Sequence, residues 1–227
     1  MTATFTWLGH AALGLEVNGL RILVDPFLTG NPAAAVSAEI VPADYILVTH
    51  GHGDHLGDAG KISKRTGALV ISNAEIANWL KAKDIKAHGL HLGGGHEFPF
   101  GYLKMTFAIH GSALPDGSYG GNPGGFLLTT PDGKKIYMAG DTGLFGDMQL
   151  IGDEGLDLAV IPIGDNYTMG PTDALRALKL LRPKAVVPIH FNTFDLIRVD
   201  AADWVKKAAE TGVKVHLLKP GQSIALS

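Results

Sequence analysis

Three histidines and one aspartate fall within a short, glycine-spaced part of the sequence. The segment His50–His55 reads His-Gly-His-Gly-Asp-His and directly follows an apolar run. Imidazole and carboxylate groups are the ligands that zinc prefers when cysteine is absent, and they also bind iron or manganese. Glycine adds no side-chain bulk and permits a tight loop, so alternate side chains can converge on a small volume. The spacing predicts a metal site rather than a solvated histidine loop.

Further ligand-type residues occur in the same context, each just past a predicted apolar strand. They are His110, Asp141 and His190, which follow the predicted strands Met105–Ile109, Ile136–Ala139 and Ala185–Ile189. If the strands lie side by side, their ends share one edge of the scaffold and these residues can meet in a common cleft. Taken alone, His110 or His190 could equally be a buried, hydrogen-bonded histidine. The recurrence favours a shared site.

The composition restricts both the ligands and the partners. The 227-residue chain has no Cys, which excludes disulfides, thiolate metal sites and cysteine nucleophiles. Its 22 acidic and 19 basic residues give a formal net charge of −3, so no broad attraction to nucleic acid or anionic lipid is expected. No apolar run approaches the roughly 18 residues of a membrane span, and no signal-peptide pattern opens the sequence. We therefore expect a cytoplasmic protein that acts on a small molecule.

Apolar runs and turn signals predict the elements that position the candidate ligands. Besides the strands above, the predicted strands are Thr4–Leu8, Leu13–Val17, Leu20–Val24, Tyr45–Val48, Leu69–Ile71, Phe126–Leu128, Leu158–Ile163, Val213–Leu218 and Ser223–Leu226. Predicted helices follow His55 towards Arg65, begin at a Ser72 capping box, run from Pro171 to Pro183, and begin at Asp200. With no linker or repeat, the pattern predicts a single domain, residues 1–227, of two packed sheets with helices outside.

The order and spacing of the candidate ligands resemble the five-part signature of the metallo-β-lactamase superfamily of dinuclear hydrolases. The matching residues are His50-x-His52-x-Asp54-His55, His110, Asp141 and His190. The resemblance spans nearly the whole chain and implies an α/β (α+β) fold, a four-layer αββα sandwich with the metals at one edge between the sheets. It implies that one metal is bound by His50, His52 and His110. It implies a second metal bound by Asp54, His55 and His190, with Asp141 bridging the two.

Other motifs are similar to a bacterial and archaeal branch of that superfamily described as metal-dependent hydrolases. They are Gly9-His10-Ala11, Asp25-Pro26-Phe27, Pro162–Asp165 continuing to Met169–Pro171, and Pro188–Thr193. The branch is related to the ascorbate-6-phosphate lactonase and to phospholipase D enzymes acting on N-acyl ethanolamine lipids. The resemblance identifies neither the natural substrate nor the metal, and it leaves open whether the chain forms a homo-oligomer.

The sequence thus predicts a hydrolase that uses a hydroxide bound by two divalent ions to cleave an ester, lactone or phosphoester in a small substrate. Zinc is the expected metal, with manganese or iron as alternatives. Two cations roughly 3.5 to 4 Å apart lower the pKa of a shared water towards 7 and polarise the bond to be cleaved. Asp54 is expected to orient the nucleophile, and His10 to contact substrate or stabilise the developing oxyanion.

Several residues have less specific interpretations. Asp165 and Asn192 are candidates for substrate binding, although a loop cap and a bond to the backbone explain them more simply. Asp25 fits either the support of a metal ligand or a turn. The loop Pro115–Pro123 could form a pocket wall or a plain surface loop. A looser histidine cluster is expected to be a solvated loop; its members are His88, His91 and His96.

Two other functions stay open at this point. A metal-dependent nuclease or phosphodiesterase could use the same ligands on nucleic acid, but it would need a basic surface or a substrate-binding arm, and neither is evident. A noncatalytic protein could keep the fold as a metal-dependent binding module. Oxygen chemistry on a di-iron version is disfavoured, because His52 stands where those relatives have Glu.

Overall fold

The computed structural model describes residues 3–226 and contains two seven-stranded sheets packed face to face. The strands are β1 (Ala3–Gly9), β2 (Ala12–Val17), β3 (Leu20–Val24), β4 (Tyr45–Leu47), β5 (Leu69–Asn73), β6 (Ala87–Leu90), β7 (Gly95–Phe98), β8 (Gly101–Phe107), β9 (Gly124–Thr129), β10 (Lys135–Met138), β11 (Leu158–Pro162), β12 (Ala185–Ile189), β13 (Lys214–Val215) and β14 (Ser223–Leu226). The helices are α1 (Gly53–Leu56), α2 (Ala59–Thr66), α3 (Ala74–Lys81), α4 (Met148–Gly152), α5 (Pro171–Leu181) and α6 (Ala201–Ala209).

Both sheets follow the same plan, in which antiparallel strands come first and parallel strands follow. The first sheet has the order β14-β1-β2-β3-β4-β5-β6, and the second has the order β13-β12-β11-β10-β9-β8-β7. Strands β3 to β6 are parallel to one another, and so are β10 to β13. In each set, the carboxyl ends of the parallel strands meet at one edge of the sheet, where loops are free to carry functional groups.

Two hydrophobic cores hold the layers together. The larger core fills the space between the sheets and continues to the helices behind the second sheet, including Leu128 and Trp204. The smaller core lies between the first sheet and helices α2 and α3, including Ile46 and Ile62. The layers are therefore helix, sheet, sheet and helix, which confirms the predicted four-layer sandwich. The single domain over residues 1–227 stays a prediction, and none of the helices within residues 3–226 has the length and hydrophobicity of a membrane span.

The helix predicted after His55 is divided into α1 and α2. Gly57 ends α1 with φ 41°, and a Cβ there would lie 2.6 Å from the carbonyl oxygen of Pro26. The chain therefore turns where it crosses the Pro26 segment, and Asp58 begins the second helix. The short α1 keeps Asp54 and His55 on a separate turn of helix beside the loop that carries His50 and His52.

Helix α3 begins one residue later than the capping box predicted. Asn73 is the N-cap, and its side chain accepts a hydrogen bond from the backbone N–H of Ile76. Ser72 instead belongs to β5, and its hydroxyl donates to the carbonyl of Val48. Both residues can cap helices, so the sequence alone did not separate them.

Two members of the looser histidine cluster lie in strands, whereas the third, His91, lies in the expected exposed loop. His88 lies in β6 and His96 in β7, with their ring centroids 4.7 Å apart. These strands are the adjacent edges of the two sheets, so the histidines cover the end of the sandwich next to Phe98. His88 is half-buried there, while His91 is exposed.

The packing between the sheets predicts a large stability cost for Leu128→Ala. Leu128 is fully buried in β9, so truncation removes apolar contacts and leaves a cavity. The free energy of unfolding should fall by about 2 to 5 kcal/mol. Leu150→Ala is the matched control, because Leu150 is 66% exposed and its loss should change stability by no more than about 0.5 kcal/mol. Urea unfolding of both variants checks this, and equal losses would contradict the described core.

Candidate metal centre

The predicted ligands come together at the edge where the two sheets meet. His50 and His52 lie in the loop after β4, and Asp54 and His55 lie on α1. The others follow β8, β10 and β12; they are His110, Asp141 and His190. The cluster therefore contains residues from both sheets, and each of them lies at the end of a strand or in the segment directly after one.

One group consists of three imidazoles. His50 Nε2 lies 3.1 Å from His52 Nδ1, and His110 Nε2 lies 3.2 Å from the same atom. One nitrogen from each of these rings falls within 4.8 Å of the others, an arrangement that could hold a metal ion. His50 is fully buried, whereas His52 and His110 are partly exposed. The group therefore faces a cavity on one side and the protein interior on the other.

A second group is built around Asp54. Its Oδ2 atom lies 3.6 Å from His190 Nε2 and 3.9 Å from His55 Nε2. His10 also contacts this atom, with its Nε2 at 3.2 Å. One donor atom from each of these four residues lies within 4.8 Å of the others. The structure thus adds His10 to the residues that surround this position.

Asp141 lies between the two groups. Its Oδ1 is 3.2 Å from His55 Nε2, and its Oδ2 is 3.1 Å from His190 Nε2 and 3.6 Å from His110 Nε2. The carboxylate is 3% exposed, so its charge is poorly solvated by water. One side chain therefore reaches nitrogen atoms of both groups.

The donor atoms of the cluster fit a metal better than they fit each other. Within residues 3–226, the buried atoms His55 Nε2, Asp141 Oδ1 and His190 Nε2 have no hydrogen-bond partner. His55 Nε2 nevertheless lies only 3.2 Å from Asp141 Oδ1, and His190 Nε2 lies 3.1 Å from Asp141 Oδ2, without the alignment of a hydrogen bond. Buried polar atoms without partners are costly and rare. Close, misaligned nitrogen and oxygen atoms are what a shared metal requires, and the set of imidazoles and carboxylates suits a divalent ion.

The buried charges shift the pKa values of their neighbours. Burial raises the pKa of Asp141, but the imidazoles of His55 and His190 hold the pKa of this carboxyl well below its usual value. Burial lowers the pKa of His190, yet Asp141 and Asp54 raise it to about 9. Burial and the neighbouring His55 hold the pKa of His50 well below its usual value. Asp141 therefore requires positive charge around it, which protons or metal cations on the same nitrogen atoms can supply.

Asp25 orients His55 from outside the cluster. His55 Nδ1 donates to Asp25 Oδ2 over 2.8 Å, which turns the Nε2 atom of the same ring towards Asp141. Thr49 donates to the same carboxylate twice, from its backbone N–H (2.8 Å) and from its hydroxyl (2.7 Å). Asp25 also forms a turn, since its carbonyl accepts from the N–H of Phe27 at 2.7 Å. Both interpretations of Asp25 from the sequence therefore apply.

His10 is held in place on every side. It is fully buried and lies in the left-handed region at φ 56°. Its Nδ1 is 2.9 Å from the hydroxyl of Thr193, and its carbonyl accepts from the N–H of His190. Burial lowers the pKa of His10, while the bond to Asp54 opposes that change. The ring is therefore fixed with its Nε2 atom against Asp54.

A small cavity opens onto the cluster. It has a volume of about 230 Å³ and is lined by His52, Asp54, His110, Asp141, Tyr167 and His190. Asp165 and Asn192 are not part of this lining. Asp165 Oδ1 accepts from the N–H of Asn166, and Asn192 Oδ1 accepts from the N–H of Val199. Substrate binding by these two residues stays a prediction, and the structure shows them bonded to backbone.

Sequence reasoning missed Tyr167 and Thr193. Tyr167 lines the cavity but is not a ligand type, and only its place between Asp165 and Met169 in a quoted motif could have indicated it. Thr193 contacts His10 although the two residues are 183 positions apart in sequence, and no local sequence pattern reveals such a contact. The loop Pro115–Pro123 does not line the cavity, but the hydroxyl of the preceding Ser112 accepts from the N–H of Gly51.

Comparisons with known proteins agree with this geometry. Residues 20–191 match the family model described as the beta-lactamase superfamily domain. The chain is 53% identical over 220 residues to a UPF0173 metal-dependent hydrolase of Thermus thermophilus, with 97% of each chain covered. It is 48% identical over 231 residues to a protein of the same name from Heliobacterium modesticaldum, covering 98% of this chain and 97% of that protein.

A solved structure is also similar over almost its whole length. It is Igni18, a metallo hydrolase from the hyperthermophilic archaeon Ignicoccus hospitalis, with a TM-score of 0.91 and 38% identity. The match covers 99% of this chain and 98% of that chain. The arrangement of both sheets is therefore shared with an experimentally determined metallo hydrolase.

The bond from His55 to Asp25 predicts the effect of Asp25→Asn on metal binding. Asparagine has one acceptor oxygen and a donor NH2 group, so it cannot accept all three hydrogen bonds from His55 and Thr49. His55 then loses its fixed orientation, and metal affinity should fall about 10 to 100-fold. Metal titration with a competing chelator measures this. Asp58→Asn is the matched control, because Asp58 is also buried and bonded to backbone but contacts no histidine. Equal losses of affinity in both variants would contradict the role of Asp25.

Proposed function

We propose that two divalent ions act together in the site of this chain, which belongs to the metallo-β-lactamase superfamily and is a metal-dependent hydrolase. The reaction is cleavage of an ester, lactone or phosphoester bond in a small substrate. The observation that carries the proposal is the position of Asp141, whose carboxylate lies within 3.6 Å of His110 in the first group and of both His55 and His190 in the second. A single carboxylate between two groups of donors favours a pair of ions over a single ion.

We divide the candidate ligands between the two ions. His50, His52 and His110 would hold one ion. Asp54, His55 and His190 would hold the other, and Asp141 would serve both. Zinc suits imidazoles and carboxylates best, with manganese or iron as alternatives. When bound, the two ions supply Lewis-acid polarisation of the substrate and a hydroxide nucleophile at neutral pH.

The residues of the chain then orient the reacting groups. Asp54 is the most exposed carboxylate of the cluster, at 34% for its side chain, and it faces the cavity. We assign it the role of orienting the nucleophile as a hydrogen-bond acceptor. Burial raises the pKa of Asp54, but His10 and His190 hold it well below its usual value, so Asp54 is ionised and ready to accept a hydrogen bond.

His10 acts through Asp54 in this proposal. The ring is fully buried and its Nε2 atom is directed at Asp54 Oδ2, which favours a positioning role over direct contact with substrate. Thr193 fixes the ring from the other side at 2.9 Å. The hydrogen bond would keep Asp54 in one orientation.

The cavity supports a small substrate over nucleic acid. A volume of about 230 Å³ admits a small molecule or one end of a larger one, and its lining contains no Lys or Arg. Nucleic-acid binding depends on cationic groups that neutralise phosphates. A cytoplasmic location also agrees with a chain that has no Cys to oxidise. The relation to the ascorbate-6-phosphate lactonase stays a prediction.

The position of Asp141 predicts the metal content. Protein saturated with zinc and then freed of excess metal should hold two equivalents, and Asp141→Ala should hold one or none because both ions lose a ligand. Elemental analysis of the desalted proteins measures the ratio. Asp147→Ala is the control, because this exposed aspartate lies outside the cluster and should leave two equivalents. One equivalent in the unchanged protein would contradict the dinuclear proposal.

The ligand set predicts the loss of hydrolysis. His52→Ala and Asp141→Ala should reduce turnover of an activated ester to the background rate, and chelation should do the same to the unchanged protein until metal is restored. His91→Ala is the matched control, since His91 is exposed and outside the cluster. Near-ultraviolet circular dichroism establishes that the variants are folded. A metal-loaded protein that turns over no ester, lactone or phosphodiester would favour the binding-module hypothesis.

A further inference from the structure

Three large apolar side chains are exposed beside the candidate metal centre. They are Tyr167, Phe194 and Leu196, with exposures of 56%, 43% and 65%, and together we name them the apolar rim. Single exposed apolar residues are ordinary on protein surfaces, but a cluster at the mouth of a cavity marks a surface that receives an apolar ligand. None of the three is a predicted metal ligand, and none is needed to fill a core.

The apolar rim lies on the Asp54 side of the cavity. Tyr167 lines the cavity together with Asp54 and His190. The ring of Phe194 lies edge-on to the ring of His10 with centroids 5.5 Å apart, and His10 in turn contacts Asp54. Leu196 lies two residues after Phe194, in the 3₁₀ turn Asp195–Ile197. The apolar rim is therefore next to Asp54, the carboxylate that orients the nucleophile in the proposed function.

The backbone that carries Tyr167 is held in a fixed conformation. Asp165 and Asn166 lie in the left-handed region at φ 62° and φ 54°, which costs energy at residues other than glycine. The N–H of Tyr167 donates to the carbonyl of Asp165. The loop is joined to the metal cluster because the N–H of Met169 donates to the carbonyl of Thr142, the neighbour of Asp141. A strained loop anchored at the cluster presents Tyr167 to the cavity.

The two segments of the apolar rim pack against each other. A Cβ at Gly164 would lie 2.1 Å from the carbonyl oxygen of His190 and 3.1 Å from Ile197 Cβ, so the chain before Asp165 approaches the second segment closely. The second segment is closed by two hydrogen bonds, from the N–H of Asn192 to Ile197 and from the N–H of Ile197 to Phe194. Tyr167 and Phe194 are therefore presented by loops that support each other.

The apolar rim offers an anionic group no unpaired cation of its own. The ions of the proposed function would lie inside the cavity against Asp54 and Asp141, and the cavity lining adds no Lys or Arg. The nearest cation along the second segment is Arg198, and its guanidinium is paired with Asp195 at 2.9 Å. A negatively charged substituent on the rim would meet no unpaired cation of this chain, whereas an apolar group would remove three apolar side chains from water.

We propose that the apolar rim is a substrate-binding subsite that takes an uncharged alkyl or aryl group next to the bond to be cleaved. The inference rests on the proposed hydrolase function and narrows its substrates to neutral esters or lactones that carry such a group. Apolar contact on an open rim should improve binding about tenfold between an acetyl and a hexanoyl group, a modest part of the gain that full burial of four methylenes would give.

Binding without turnover tests the subsite directly. Ligand-observed NMR with the zinc-loaded protein measures Kd for acetanilide, hexananilide and the anilide of 3-sulfopropanoic acid, whose sulfonate is a poor metal ligand. Hexananilide should bind about tenfold more tightly than the other two compounds. Equal affinity for the sulfonate compound and hexananilide would overturn the proposal. Because no ester is cleaved, this outcome is separate from the failure of the proposed hydrolase function.

Matched variants locate the effect on the protein. The double variant Phe194→Ala/Leu196→Ala and the single variant Tyr167→Ala should each lose most of the preference for hexananilide. The control Phe107→Ala/Leu150→Ala removes the same residue types at similar exposures, 49% and 66%, outside the cavity lining, and should keep the preference. Loss of the preference in the control alone, or its retention in both rim variants, would overturn the subsite.

Kinetics provide the second readout. The ratio of kcat/KM for p-nitrophenyl hexanoate to that for the acetate should be about ten in the unchanged protein and should fall towards one in the rim variants, mainly through KM. A ratio that stays near ten in the rim variants contradicts the subsite. Absence of zinc-dependent turnover with either ester contradicts the proposed function instead, and the binding measurements still decide the role of the rim.

Discussion

The contact of Asp141 with imidazoles from different parts of the chain is the interaction on which the rest of the site depends. A carboxylate that is 3% exposed is unfavourable unless positive charge surrounds it. Here the surrounding groups are His55, His110 and His190, each within 3.6 Å of one of its oxygen atoms. Because those residues come from both sheets, the cluster forms only when the two sheets pack in register.

The support around the cluster explains why so many polar residues are buried in this part of the molecule. Asp25, Thr49 and Thr193 hold imidazoles by their second nitrogen atoms or hold the residues that do so. Each bond fixes which nitrogen of a ring faces inward, and a ligand with a fixed orientation loses less freedom on binding. The positive φ values of His10, Asp25 and His190 belong to the same arrangement, since they direct the chain back towards the cluster at strand ends.

The residues that the sequence singled out as candidate ligands come together in the structure, because the information that marks them is local. A ligand type just after an apolar strand marks a strand end, and four such ends are enough to indicate a shared edge. It predicted the boundaries less well. Whether Ser72 or Asn73 caps α3, and whether the chain turns at Gly57, depends on contacts with Val48 and Pro26 that lie far away in sequence. Tyr167 was missed for another reason. It lines the cavity because a strained loop places it there, and its residue type alone gives no indication of that position.

The hydrogen bond from His190 to the carbonyl of His10 ties the end of β1 to the end of β12. Residues near opposite ends of the chain must therefore meet before the second group of donors exists. A nascent polypeptide that has left the ribosome only as far as β9 already contains every candidate ligand except Asp141 and His190. Assembly of the complete centre is consequently a late event in biosynthesis, because the group around Asp54 is incomplete until β12 has been made and His190 has met His10.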